Sequence, residues 1–280
     1  MDNMKQVILI IFISCLLFQR CTNNPLFSDD GKATDKHIVT GSLSLSDGSS
    51  PLDAYVWVQD LDISARCNSQ GSFTLQIPKT QEYEGLNGSY TVYFYVGNYQ
   101  YQTASVVVTN GLFEYGQHNI TDDGHFDKNI VLKKLLNIET NVVPNLINLD
   151  ESLNITLTSS FVNTDSFVSI IIQTDKREPI MYGYFMRPVD TGSPVKYLYK
   201  PSETKSSGIV LDSLRSWETF YFFNPDSVAP GQYEIIPYVQ VQQSGLPAQL
   251  LLSIGANANK YSFDYLNVPF TRKTAFLTIF

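Results

Sequence analysis

Residues 37–78 read HIVTGSLSLSDGSSPLDAYVWVQDLDISARCNSQGSFTLQIP. Leu43 and Leu45 alternate with serines up to Asp47-Gly48, and alternation of this kind places one face of a strand in a core and the other in solvent. Beyond the Asp-Gly turn, Tyr55–Val58 reads as a second strand. A third follows before Asn68-Ser69-Gln70-Gly71, which turns the chain into Phe73–Ile77. Strands this short, punctuated by Gly and Asn/Asp turns, predict a β-sandwich.

The same rhythm continues outward. Tyr90–Val96, Tyr101–Val108 and Asn129–Leu132 read as strands, with Gly85, Asn87-Gly88, Gly97-Asn98 and Asn110-Gly111 as the turns between them. A first domain is therefore expected over residues 36–133.

Three segments carry a family resemblance: Asp47-Gly48-Ser49-Ser50-Pro51-Leu52, then Asp53-Ala54-Tyr55-Val56-Trp57-Val58, then Asn68 through Pro78 with Gly71-Ser72-Phe73-Thr74-Leu75 at its centre. They resemble the "dGsPL", "gA.V.v" and "tdsdGkFsL.ip" motifs of the carboxypeptidase regulatory-like domain. Tyr90-Thr91-Val92 and Gly97-Asn98-Tyr99 are similar to the "Y.v.....gY" that follows them in the family. This chain departs by a Ser inserted before Pro51 and by Gln70 at a position that is commonly acidic. Over residues 36–133 the resemblance implies a small seven-stranded, transthyretin-like sandwich that supports or spaces other parts and seldom carries chemistry.

Past a boundary at Lys133–Leu136, Ile138–Pro144, Glu151–Thr158 and Phe167–Gln173 read as further strands. Ala229-Pro230-Gly231-Gln232-Tyr233-Glu234-Ile235 looks like the corner of an immunoglobulin-like sandwich, where Pro-Gly turns the chain and the Tyr closes the core. Ala275–Phe280 reads as the last strand. The expected fold is thus all-β: two consecutive β-sandwich domains, the second over residues 134–280. A terminal Phe also occurs in outer-membrane barrels, but a barrel needs many alternating segments.

Composition agrees with strands. The 280 residues include seventeen Tyr and seventeen Phe and are 43% hydrophobic, enough for two sizeable cores. A net charge of -8 argues against a nucleic-acid partner, which requires clustered Lys and Arg to displace phosphate counterions. At the N-terminus Lys5 precedes an apolar run, Val7 to Phe18, too short for a membrane-spanning helix of roughly 20 residues but suited to a signal peptide.

Phe18-Gln19-Arg20-Cys21 and the polar stretch behind it look like a bacterial lipoprotein signal. Residues 1–21 are therefore expected to be the signal with Cys21 as the lipidated residue, and 22–35 a flexible tether. Arg20 stands where such signals carry a small residue. The alternative, Cys15 in Phe12-Ile13-Ser14-Cys15, has the small residue but is followed by Leu16-Leu17-Phe18. Export, lipid anchoring and residence at the outer membrane or cell surface follow as expectations. With Cys15 and Cys21 so used, Cys67 is left without an internal disulfide partner; Arg66 beside it carries the charge that lowers a thiol pKa, but no histidine is near it in sequence, and a small residue at a strand end is the favoured reading.

Few residues suggest chemistry. His118, Asp122, Asp123, His125 and Asp127 share one loop and offer metal-ligand atoms, but not at EF-hand spacing, and two histidines fall short of a zinc site. A polar loop explains them as well, and no metal or other cofactor is expected. Gly-x-Ser-x-Gly is absent, and no Gly-rich phosphate loop opens a helix. Paired carboxylates remain open, since their separation is spatial, although Asp47, Asp60, Asp122 and Asp226 sit in turns, where Asp serves the backbone.

The remaining handle is aromatic. Tyr93, Tyr95, Tyr99, Tyr101 and Trp217–Phe223 place rings on both strand faces, more than one core accommodates. Trp217, Tyr221, Tyr95 and Tyr99 are the candidate ligand-binding residues, set against the alternative that their second face packs on the neighbouring domain. The expectation is a non-enzymatic envelope lipoprotein, a scaffold or binding component with a protein or polysaccharide partner. The alternative is a carbohydrate-binding surface protein that uses exposed rings.

Overall fold

The computed structural model describes residues 35–148, 154–164, 167–175, 181–190, 194–199, 204–222, 228–256 and 260–280. Cys15, Cys21, the tether up to residue 34, Phe223 and Asp226 lie outside them.

The alternating runs form strands. The first eight are β1 (Ile38–Leu45), β2 (Tyr55–Val58), β3 (Ile63–Arg66), β4 (Ser72–Gln76), β5 (Gly88–Tyr95), β6 (Gln102–Thr109), β7 (Leu112–Phe113) and β8 (Ile130–Leu132). They build two sheets, ordered β4-β1-β8 and β3-β2-β5-β6-β7. β1 lies between an antiparallel β4, with Gly41 opposite Phe73, and a parallel β8, with Leu43 opposite Ile130. Val39, Leu43, Phe73, Leu75, Val56, Val58, Phe94 and Val106 fill the space between the sheets. The Gln70-Gly71 turn requires its glycine: φ is +85°, and a Cβ there would lie 1.9 Å from the Leu43 carbonyl oxygen.

A second set follows: β9 (Leu136–Val143), β10 (Leu146–Ile147), β11 (Asn154–Asn163), β12 (Val168–Asp175), β13 (Tyr184–Pro188), β14 (Lys196–Tyr199), β15 (Thr204–Leu211), β16 (Arg215–Phe222), β17 (Gly231–Pro237), β18 (Val239–Val241) and β19 (Ala275–Ile279). Their sheets run β10-β19-β17-β13-β14, β16-β11-β9 and β15-β12-β18. β9 and β11 bury every second residue, and Leu136, Ile138, Ile155, Leu157 and Phe161 meet Ile170, Ile172, Tyr184, Ile235 and Leu277 in a separate core. At the Pro230-Gly231 corner Tyr233 is buried, and its hydroxyl donates to the Ala229 carbonyl at 2.7 Å, so one ring fills the core while its polar tip fixes the turn.

The fold is all-β and of sandwich type. The first core draws on residues 39–132 and the second on residues 136–279, yet Lys36–Phe280 forms one compact unit. The segment between β18 and β19 explains this. It lacks alternation and folds as a six-residue helix, α1 (Ala248–Ser253), followed by a 3-10 turn, Phe263–Asn267. Leu250, Ile254, Ala256 and Val268 from it cover the outer face of the first sandwich. Tyr261, Tyr265 and Leu266 cover the outer face of β13 and β17 at Phe185, Ile236 and Tyr238. Phe270 contacts both clusters.

Candidate functional site

β2 and β5 carry apolar side chains on both faces. Val56, Val58, Val92 and Phe94 point into the first core, whereas Tyr55, Trp57 and Tyr95 point outward onto α1 and its flanks and are each less than 5% exposed. Tyr93 and Tyr101 border the same cluster, their rings 5.9 Å apart. The rings that the sequence left in excess of one core are therefore used at the junction between the sandwiches.

Polar contacts close the junction around these rings. Tyr55 donates to Ser253 Oγ at 3.1 Å, and Arg66 Nη2 donates to the Asn267 carbonyl at 3.1 Å. The Gly97 N–H reaches the Pro269 carbonyl at 2.7 Å. Fully buried Asn98 is satisfied on all sides: Nδ2 donates to the carbonyls of Leu136 and Thr271, and Oδ1 accepts the Thr271 N–H. Gln243 Nε2 donates to the Tyr99 carbonyl while its Oε1 accepts the Tyr101 N–H. Such groups cost free energy unless paired, so the pairing of Asn98 and Gln243 favours one relative placement of the two halves, while the buried Trp57 Nε1 in the same layer has no partner.

Asp47, from the Asp-Gly turn, joins this network. Its carboxylate accepts from the Tyr99 hydroxyl at 2.9 Å, from Ser49 Oγ at 2.7 Å and from Lys134 Nζ at 2.7 Å. Partial burial opposes ionisation, but the bonds from Lys134, Ser49 and Tyr99 outweigh it and hold the carboxyl well below the usual carboxylate range. The Tyr99 hydroxyl also lies 2.9 Å from Thr271 Oγ1, which connects the turn to the second sandwich.

The candidate ligand-binding residues are placed differently from the expectation of open rings. Tyr95 and Tyr99 are buried at the junction, and burial pushes both phenols up. Tyr221 points into the second core, 5.9 Å from the Tyr184 ring and edge-on to it. Trp217 is half-buried, edge-on to Phe161 at 5.4 Å. Among the described rings of WETFYFF, those that face solvent are of opposite parity, Phe220 and Phe222, exposed by 72% and 75%. Their strand pairs with β11 in the register Phe222 opposite Asn154, and an alternating strand turns its even and odd positions to opposite faces.

The His/Asp loop does not gather. His125 Nδ1 meets Thr40 Oγ1, its Nε2 lies 3.7 Å from Asp123, and His118 occupies a left-handed turn position at φ 54°. Among the described residues no three His, Cys, Asp or Glu side chains come together as a metal site. Asp60, at φ 65°, serves a turn. Cys67 is 2% exposed in the first core, where burial pushes its thiol up to about 12. Arg66 does not lower it, because its guanidinium is directed to the Asp53 and Asn267 carbonyls and lies over the Tyr55 ring.

Several concave surfaces among the described residues carry open polar side chains, and one of them is rich in glutamine. Where β6 begins, a cleft of about 860 Å³ runs between Gln100, Gln102 and Thr103 of the first sandwich and Ser169 and Gln242 of the second, with Phe167 at its margin. Phe167 is 75% exposed, whereas Tyr101 is held by its hydroxyl bond to the Ser244 carbonyl at 3.0 Å. Sequence reasoning missed this cleft: its glutamines are 140 residues apart in the chain, and no local pattern links them.

No family model matches the chain, and no curated protein matches it. Among solved structures it is similar to the alkylpurine DNA glycosylase AlkC of Pseudomonas fluorescens bound to DNA containing an abasic site analogue. That similarity has a TM-score of 0.24 and 16% identity over 38% of this chain and 27% of that one. It is also similar to the Bacillus anthracis TIE protein, with a TM-score of 0.23 and 7% identity over 74% of this chain and 31% of that one. The chain thus spans less than a third of either neighbour.

Proposed function

We propose that the chain is a non-catalytic lipoprotein of the cell envelope, whose joined sandwiches act as a scaffold or binding component held at the outer membrane or cell surface. The observation that carries this reading is the junction: an aromatic layer and a fully paired Asn98 leave the two sandwiches no hinge at the point where they meet. A rigid arm of this kind holds a partner at a set distance from its anchor. The anchor is the lipid on Cys21, or on Cys15, argued from the apolar run and the polar stretch that follow the lipoprotein pattern. Residues 36–133 are assigned to the carboxypeptidase regulatory-like family on the motifs at Asp47, Ala54 and Gly71, whose role is auxiliary. The second half is read as an immunoglobulin-like sandwich, supported by the Tyr233 corner. The partner is a protein or polysaccharide of the envelope.

Two measurements test the reading. Mass spectrometry of the N-terminal peptide from native membranes is expected to find a diacylglyceryl group on Cys21 or Cys15, and an unmodified start beyond residue 21 would contradict the anchor. Small-angle X-ray scattering of the released protein is expected to fit a single arrangement of residues 36–280 at low and high salt. A required spread of arrangements would contradict the rigid arm.

A further inference from the structure

We propose that the cleft between β6 and the second sandwich binds a neutral oligosaccharide. The site exists only because the sandwiches are joined, so the inference rests on the rigid-arm reading above.

The chemistry of the walls selects the ligand. Gln100 and Gln242 are exposed and Gln102 is half-exposed, and each amide offers both donors and acceptors. Sugar hydroxyls are likewise donor and acceptor at once, so amides from two sides match adjacent hydroxyls without leaving a polar atom unpaired. Thr103 and Ser169 add hydroxyls of the same kind. Among the described residues no carboxylate lines the cleft, which disfavours a cation. Lys133 is the one charged residue among the described residues that line it, and a net charge of -8 repels polyanions.

Phe167 supplies the apolar surface. Its ring is 75% exposed at the margin of the cleft, placed to stack on the C–H face of a pyranose. Leu135 is the other partly open apolar side chain in the wall, too little for the alternate apolar pockets that specify an extended peptide. The floor is already fixed, since Gln243 spends both ends of its amide on Tyr99 and Tyr101. A volume of about 860 Å³ falls within the range of small-ligand sites, roughly 300–1,000 Å³.

The test is isothermal titration of the protein with hexasaccharides of α-1,4-glucose, β-1,4-glucose, β-1,3-glucose, β-1,4-xylose and β-1,4-mannose, and with hexagalacturonate. At least one neutral series is expected to bind. Phe167→Ala and Gln102→Ala are each expected to weaken that binding by roughly tenfold or more, corresponding to about 1.4 kcal/mol. Phe222→Ala, on an outer sheet face, should leave it unchanged. Phe167 is exposed, so its variant should melt with the parent, and scattering on the same samples reports the junction separately. No binding in any neutral series, binding of hexagalacturonate alone, or neutral-sugar binding that Phe167→Ala or Gln102→Ala leaves undiminished would each overturn the proposal.

Discussion

Asn98 and Thr271 stand 173 residues apart in the chain yet pair as neighbouring strands do: Asn98 Nδ2 donates to the Thr271 carbonyl at 2.8 Å, and the Thr271 N–H donates to Asn98 Oδ1 at 3.1 Å. One amide side chain thereby substitutes for a missing strand edge at the meeting of the two sandwiches. Removing it would leave a partly buried N–H and two carbonyls without this partner at once, because Leu136 loses its donor as well.

Asn98→Ala is expected to destabilise the protein by about 3 kcal/mol, from buried backbone groups left unpaired at roughly 1–3 kcal/mol each and partly relieved by water. Thr271→Val, which keeps the backbone bonds, should cost about 1 kcal/mol. Urea unfolding checks both, and equal losses would show that the side-chain hydroxyl, not the amide, carries the contact.

The Asp47 carboxyl titrates below its usual range because, against partial burial, Lys134, Ser49 and Tyr99 stabilise its charge. A folded pKa below the unfolded value, about 3.9, means the carboxylate adds stability above that pH and loses it as pH falls toward the folded pKa. Thermal melting should therefore separate wild type from Asp47→Asn at pH 7, with the gap starting to shrink near pH 4 and narrowing further as pH falls toward 2. A constant gap down to pH 2 would place the effect elsewhere.

Phe185 lies at the centre of the aromatic layer over β13 and β17, with Tyr261 at 4.9 Å and Tyr265 stacked at 5.8 Å. Phe185→Ala should cost about 3–5 kcal/mol through the cavity it opens. Phe220→Ala, at an exposed ring on β16, should change stability by less than about 0.5 kcal/mol. Chemical denaturation of the pair gives the contrast.

Cys67, buried and raised to about 12, is expected to resist iodoacetamide at pH 8 in the folded protein and to react fully in denaturant. Rapid labelling of the native protein would mean that the first core opens readily.

Much of the fold was legible because strands report themselves locally. Leu43, Leu45, Phe73 and Leu75 alternate, and Gly71 punctuates them for a reason visible in the structure, the close approach of the Leu43 carbonyl. The corner at Tyr233 was legible in the same way. The wedge over residues 246–270 was not. Its Leu250, Tyr261, Tyr265 and Phe270 follow neither period two nor a long helical period, because they cover faces built by other segments. The direction of an individual ring was also hidden: Trp217 and Tyr221 draw attention as large residues, but register on β11 turns them inward and leaves Phe220 and Phe222 outside. The sequence did contain the clue to Tyr95, since β2 and β5 carry more apolar surface than one core accepts.

The two tryptophans give the most direct test of the central claim. Trp57 reports the junction face of the first sandwich and Trp217 the second core. Equilibrium urea unfolding of Trp57→Phe and Trp217→Phe, each followed by the remaining tryptophan's fluorescence, should give one coincident transition after correction for each variant's stability measured by circular dichroism. In either variant, a fluorescence midpoint that departs from the same variant's circular dichroism midpoint would mean that the sandwiches unfold independently, and the rigid arm would be wrong.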